Sequence, residues 1–114
     1  MRWPPRVAGA GHREQHKKAQ AELAAAHTAY EKGDKAQAVS TYKAHFAAAP
    51  EEDKGKIIKR VAEHEAGQGD EAEARKWIEK GLAAKLSIAY EGPAAKIHAQ
   101  AKQQRDEAAA KQKA

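Results

Sequence analysis

The chain contains no cysteine. That excludes disulfides, a thiol nucleophile and a thiolate zinc site. Large apolar side chains are scarce as well. Hydrophobic residues make up 41% of the 114, but 29 of them are alanine and only 18 are larger, including a single phenylalanine. No apolar run approaches the roughly 18 residues that cross a bilayer. Valine, isoleucine and threonine are sparse, which argues against a β-sandwich or barrel. Alanine, glutamate, lysine and glutamine dominate instead, and these are strong helix formers. The length is that of one small domain.

The net charge of +5 is unevenly placed. Residues 1–18 carry five basic side chains against one acidic, residues 19–92 eleven against thirteen, and residues 93–114 five against two. All of the positive excess therefore lies at the ends. A nucleic-acid module carries its basic face on the fold itself. Here only the tails would supply phosphate contacts, and such contacts are strongly salt-dependent. Pro4 and Pro5 remove two amide donors and push their predecessors extended, so residues 1–11 read as a disordered basic segment. A secretory signal follows its charged start with about 7–15 apolar residues. Only Val7-Ala8-Gly9-Ala10 follows Arg6, and the expected compartment is the cytoplasm.

Glycine and proline divide the rest into helical segments. Over 12–32, Ala19, Leu23, Ala26 and Tyr30 recur at helical spacing, and Gly33 can take the left-handed conformation that ends the helix. Asp34 is placed to cap the next, 35–49, which aligns Ala38, Val39, Tyr42 and Phe46 and stops at Pro50. Glu51, Glu52 and Asp53 suit the positive end of a third helix, 51–66, with Ile57, Ile58, Val61 and Ala62 on one face. Asp70 is placed to cap a fourth, 71–86, with Ala74, Trp77, Ile78, Gly81 and Leu82. A connection over 87–92 adds Ile88 and Tyr90, and Pro93 starts a last helix over 93–114 with a frayed basic end.

Two Gly-Asp pairs, Gly33-Asp34 and Gly69-Asp70, lie 36 residues apart and are succeeded by similar residues. Alanines come two and four positions after each Asp, and large apolar residues come eight and twelve after it, Tyr42 and Phe46 in one case and Ile78 and Leu82 in the other. Repetition at this period is the mark of stacked helical hairpins. On Ala29-Tyr30-Glu31-Lys32-Gly33-Asp34, Ala38, Tyr42 and Pro50 the sequence resembles the tetratricopeptide repeat family. Gly69, Ala74 and Ile78 continue the pattern in a second repeat, with Leu86 where the family has its terminating proline. Glu22 and Ile58 stand where its first-helix aromatic would be.

The resemblance implies an all-α, right-handed α-α superhelix of about five helices, with repeats at 19–54 and 55–88 inside a 12–92 domain and a capping helix over 93–114. It implies a non-catalytic adaptor that binds a peptide or helix of a partner protein along a concave face. By position, that face comprises Gln20, Leu23, His27, Tyr30 and Glu31 from the first repeat, and Lys56, Lys59, Glu63 and Ala66 from the second. A terminal-carboxylate clamp of lysine and asparagine is not expected, because Leu23 and His27 stand in those places. Leu23 and Tyr30 lie on the apolar stripe and serve a core role equally well.

Other chemistry finds little support. His12 and His16 share a helix face, but Arg13, Lys17 and Lys18 beside them repel a cation. Neither Gly-x-Gly string follows a strand, so no phosphate or cofactor motif is present. No acid–base pair or nucleophile elbow appears, and no enzyme, metal or cofactor is expected. The alternatives to an adaptor are a nucleic-acid-associated protein working through its basic tails, and a fragment of a longer repeat array.

Overall fold

A computed structural model describes the backbone of residues 6–113 and the side chains of residues 17–110. Among the described residues the chain is all-α, with five helices and no strand. The helices are α1 (Arg6–Lys32), α2 (Lys35–His45), α3 (Glu51–Gly67), α4 (Glu71–Ala83) and α5 (Pro93–Lys113). They form two compact units, one ending at Pro50 and the other starting at Glu51, where length alone points to a single domain.

The first unit is the α1–α2 hairpin. Helix α1 starts at Arg6 rather than at 12, with Gly9 and Gly11 within its first two turns. Residues 1–5, the rest of the segment expected to be disordered, lie outside the described residues. Gly33 takes φ +105° and ends α1. Its N–H donates to the Tyr30 carbonyl (3.1 Å), and the Asp34 N–H donates to that of Ala29 (2.9 Å). This pair of bonds is the Schellman closure of a helix C-terminus.

Helix α2 buries Ala38, Val39 and Tyr42 against α1, which contributes Ala19, Leu23 and Ala26. It ends four residues before the expected 49. Pro50 forces Ala49 extended (φ −70°, ψ 143°), and the chain before it tightens into a 3-10 turn over Phe46–Ala48. Phe46 is consequently only half-buried.

The second unit repeats the corner and adds a helix. Gly69 (φ +86°) donates to the Ala66 carbonyl at 3.1 Å, and Asp70 donates to that of Glu65 at 2.9 Å. The two Gly-Asp corners, equivalent in sequence, are thus closed by the same two bonds. Their caps differ. The Asp70 carboxylate accepts the Glu73 N–H (3.2 Å), whereas the Asp34 side chain makes no capping bond.

The core of this unit is Ile57, Ile58, Val61 and Ala62 from α3, and Ala74, Trp77 and Ile78 from α4. Helix α5 packs against both through Ala94, Ile97 and Ala101. From residue 102 to 110 its side chains are exposed.

Helix α4 stops at Ala83 instead of 86, through a third closure of the same type. Lys85 donates to the Leu82 carbonyl (3.0 Å) and Leu86 to that of Gly81 (2.9 Å), with Lys85 itself at φ +61°. Lysine in this conformation leaves no mark in the sequence.

Candidate functional site

The expected partner-binding face divides by unit. On α1, Leu23 is 3% exposed and closes the hairpin, so it presents nothing to a ligand. His27 Nδ1 and the Tyr42 hydroxyl share a 2.7 Å hydrogen bond, and their rings lie 5.3 Å apart. Tyr42 is wholly buried, and a buried phenol needs such a partner. The Tyr30 ring tilts against Tyr42 at 6.5 Å, with Lys35 Nζ 5.3 Å over its face. Leu23, His27 and Tyr30 therefore hold the hairpin together, as the place of Leu23 and Tyr30 on the apolar stripe allows and that of His27 does not announce. Gln20 and Glu31 remain exposed on the flank that His27 also faces.

On α3, Lys56 is exposed and Ala66 is buried, so Ala66 leaves the expected face. Lys59 and Glu63 do hold something: a segment of their own chain. Lys59 Nζ pairs with Glu63 Oε2 at 2.8 Å. The same carboxylate oxygen accepts the backbone N–H of Glu91 at 2.9 Å. Lys59 Nζ also lies 3.9 Å from the Glu91 carboxylate. Both α3 side chains are largely withdrawn from water, at 31% and 21% exposure, so Glu63 gains more from two donors than a surface carboxylate would.

The segment they anchor, residues 86–91, is a non-helical strap between α4 and α5. One glycine makes room for it and a second lies beside it. Gly81 on α4 is buried, and a Cβ there would stand 3.0 Å from Ile88 Cδ1 and 3.5 Å from the Tyr90 hydroxyl. A Cβ on Gly55 of α3 would stand 3.9 Å from Ile88 Cγ1. Ile88 thus sits against both helices at glycine positions, and Tyr90 crosses α4 to meet the His98 ring of α5 at 4.8 Å.

Burial, reinforced by the nearby Glu63 carboxylate, pushes the Tyr90 hydroxyl up to about 12. Burial and the neighbouring Lys102 charge hold His98 below the usual histidine value.

Helical register alone reaches Lys59 and Glu63 but not the slot beside them. In the sequence Gly81 reads as one member of an apolar stripe, and Ile88 and Tyr90 read as residues of a connection. The signal for the slot is the alternation of large and small or polar residues over Leu86, Ser87, Ile88, Ala89, Tyr90 and Glu91.

Among the described residues no three acidic or histidine side chains converge as a metal site. The side chains of His12 and His16 lie outside those described. A shallow cleft at the start of α5 is lined by Glu71, Lys96 and Gln100 among others, and it brings together no nucleophile and base. Among the described residues no helix is long and apolar enough to cross a membrane. Comparison of the chain with protein-family models, with curated proteins and with solved structures gave no match.

Proposed function

We propose that the protein is a non-catalytic interaction module of the tetratricopeptide type, which binds a linear segment of a partner protein on its helical hairpins. The observation that carries this reading is that Lys59 and Glu63, together with Gly55 and Gly81, already accommodate an extended run of chain. Recognition of a short linear segment by pockets for alternate side chains is a recurring mode of peptide binding. The 36-residue spacing of Gly33-Asp34 and Gly69-Asp70, each with its glycine at positive φ between two helices, supports the repeat reading.

A selection of random linear peptides against the full chain tests the proposal. The expected result is a convergent set of sequences that bind in solution and lose affinity when Lys56 or Lys59 is reversed in charge. A selection without convergence would refute it. The basic ends support a second reading, nucleic-acid association through the tails. Its signature is binding to DNA that falls steeply with salt and disappears when the basic residues of 1–18 and 93–114 are neutralised.

A further inference from the structure

We infer that residues 86–91 are the chain's own ligand: they fill a slot on α3 and α4 that takes an extended segment of a partner protein carrying a branched aliphatic residue, an aromatic residue two positions later and an adjacent carboxylate. This rests on the binding-module reading above and names the ligand class of its second-unit site.

Four observations lead here. The first is the period of burial. Leu86, Ile88 and Tyr90 are half-buried, while Ser87, Ala89 and Glu91 between them are exposed. That two-residue alternation is the contact pattern of an extended chain lying on a surface. Ile88 and Tyr90 both face Gly81, as residues two apart must.

The second is the nature of the attachment. The strap has no backbone ladder: among the described residues, the N–H groups of Ser87, Ile88, Ala89 and Tyr90 donate to no backbone carbonyl. It is held by Ile88 and Tyr90 in the slot, by the Tyr90 contact with the His98 ring, and at its two ends by the Leu86 amide on the Gly81 carbonyl and the Glu91 amide on Glu63.

The third is the pair of ends. Lys85 and Gly92 both have positive φ, +61° and +65°. Rotation at these two boundary residues therefore releases the segment at the cost of the closing Leu86 N–H bond to the Gly81 carbonyl, while the hydrogen bonds within α4 and α5 stay in place. Helix α5 has its own buried face in Ala94, Ile97 and Ala101 and does not depend on the strap alone.

The fourth is the imperfect fit of the charge. Glu91 sits 3.9 Å from Lys59 with its side chain 84% exposed. A partner carboxylate free of the constraint at Gly92 can approach Lys59 more closely than Glu91 does.

A tethered segment competes at a high effective concentration, of order millimolar for a short linker. A free peptide therefore meets the slot only in the fraction of molecules whose strap is out, and removing the strap's side chains strengthens peptide binding.

The probe is a fluorescein-labelled synthetic peptide with the sequence of residues 85–92, measured by anisotropy against the full chain. Ile88→Ala combined with Tyr90→Ala is expected to bind it about tenfold or more tightly than the unaltered chain. Adding Lys59→Glu to that variant is expected to weaken binding about fivefold, and a peptide with Lys in place of Glu91 to restore it. A scrambled peptide is expected not to bind.

Because the double variant could lose its fold, amide NMR on the unaltered chain supplies an independent readout. Saturating peptide is expected to move the Gly55 and Gly81 resonances and to carry those of Ile88, Ala89 and Tyr90 to random-coil positions. The inference is overturned if these resonances stay in place, if a strap variant of unchanged helicity binds no tighter than the parent, or if the scrambled peptide binds equally well. Convergent peptides from the library that bind on α1 instead would overturn the strap as ligand and leave the interaction-module reading standing.

Discussion

Exchanging residues between two of the three helix closures should change stability in opposite directions. The closures after α3 and α4 use the same two hydrogen bonds, at 3.1 and 2.9 Å around Gly69 and at 3.0 and 2.9 Å around Lys85. They differ in the residue that takes positive φ. A side chain in the left-handed region costs about 1–2 kcal/mol, from contact between Cβ and the following carbonyl. Glycine avoids that cost but gains about 0.4–1 kcal/mol of freedom in the unfolded chain. Lys85→Gly should therefore stabilise the second unit by about 0.5–1 kcal/mol.

The reverse change, Gly69→Lys, should destabilise it by a similar amount. A Cβ at Gly69 meets nothing within 4 Å, so the cost there is that of the backbone alone. Urea unfolding followed through Trp77, in a Trp3→Phe background, reads the second unit. With a slope of about 1 kcal/mol per molar urea for so small a unit, the midpoint should rise by about 0.5–1 M in one variant and fall comparably in the other. A neutral or destabilising Lys85→Gly at unchanged slope would show that the positive φ of Lys85 stores no strain.

Three further outcomes are expected. Asp70→Ala should cost about 1 kcal/mol and Asp34→Ala only a few tenths, because only Asp70 accepts an amide of its helix; chemical denaturation of both variants checks the difference. Tyr42→Ala should cost about 3 kcal/mol and can unfold the first unit, whereas Tyr42→Phe should cost about 1 kcal/mol through the lost hydrogen bond to His27; far-UV circular dichroism on heating separates them. The strap should also give stability a pH dependence. Tyr90 is raised from 10 to about 12 in the fold, so its contribution is complete below pH 10 and is lost as pH climbs through about 12, while His98 is lowered, so its contribution is complete above about 6.5 and is lost as pH falls through its folded value. Phenolate absorbance should show a late titration that is lost in Tyr90→Phe and moves earlier in Glu63→Gln, and the His98 ring proton should titrate at higher pH in Lys102→Gln.

How much of the fold is legible in the sequence depends on where each signal resides. Helix interiors are legible because the positions of Leu23, Ala38, Ile57, Ile78 and their neighbours obey one period, and each of these residues is buried. The corners at Gly33 and Gly69 are legible because only glycine takes their φ without strain. The end of α4 is not, since Lys85 adopts the same conformation without the residue that advertises it. The early end of α2 is concealed for a related reason: Pro50 acts on the residue before it, and the 3-10 turn absorbs the difference. Asp34 and Asp70 occupy the same place in their corners with similar backbone angles, yet only one forms its cap, so residue type at a cap position does not by itself fix the bond.

The candidate site obeys a different logic. Register along α3 places Lys59 and Glu63 one turn apart, and that is all a helical period can say about them. What they touch is settled by a segment about 30 residues further on, and by Gly81, where a Cβ would crowd it. Within a helix, glycine is disfavoured by about 1 kcal/mol relative to alanine. Gly55 and Gly81 are both interior to their helices, and Gly81 is buried besides. At Gly81 the cost is offset by Ile88, which occupies the space a Cβ would need, whereas Gly55 meets Ile88 only at ordinary contact distance. A helix-interior glycine with no turn to make is therefore a sequence-level sign of close approach by another chain segment. Paired with an alternating run elsewhere, it narrows the search for that segment to a few residues.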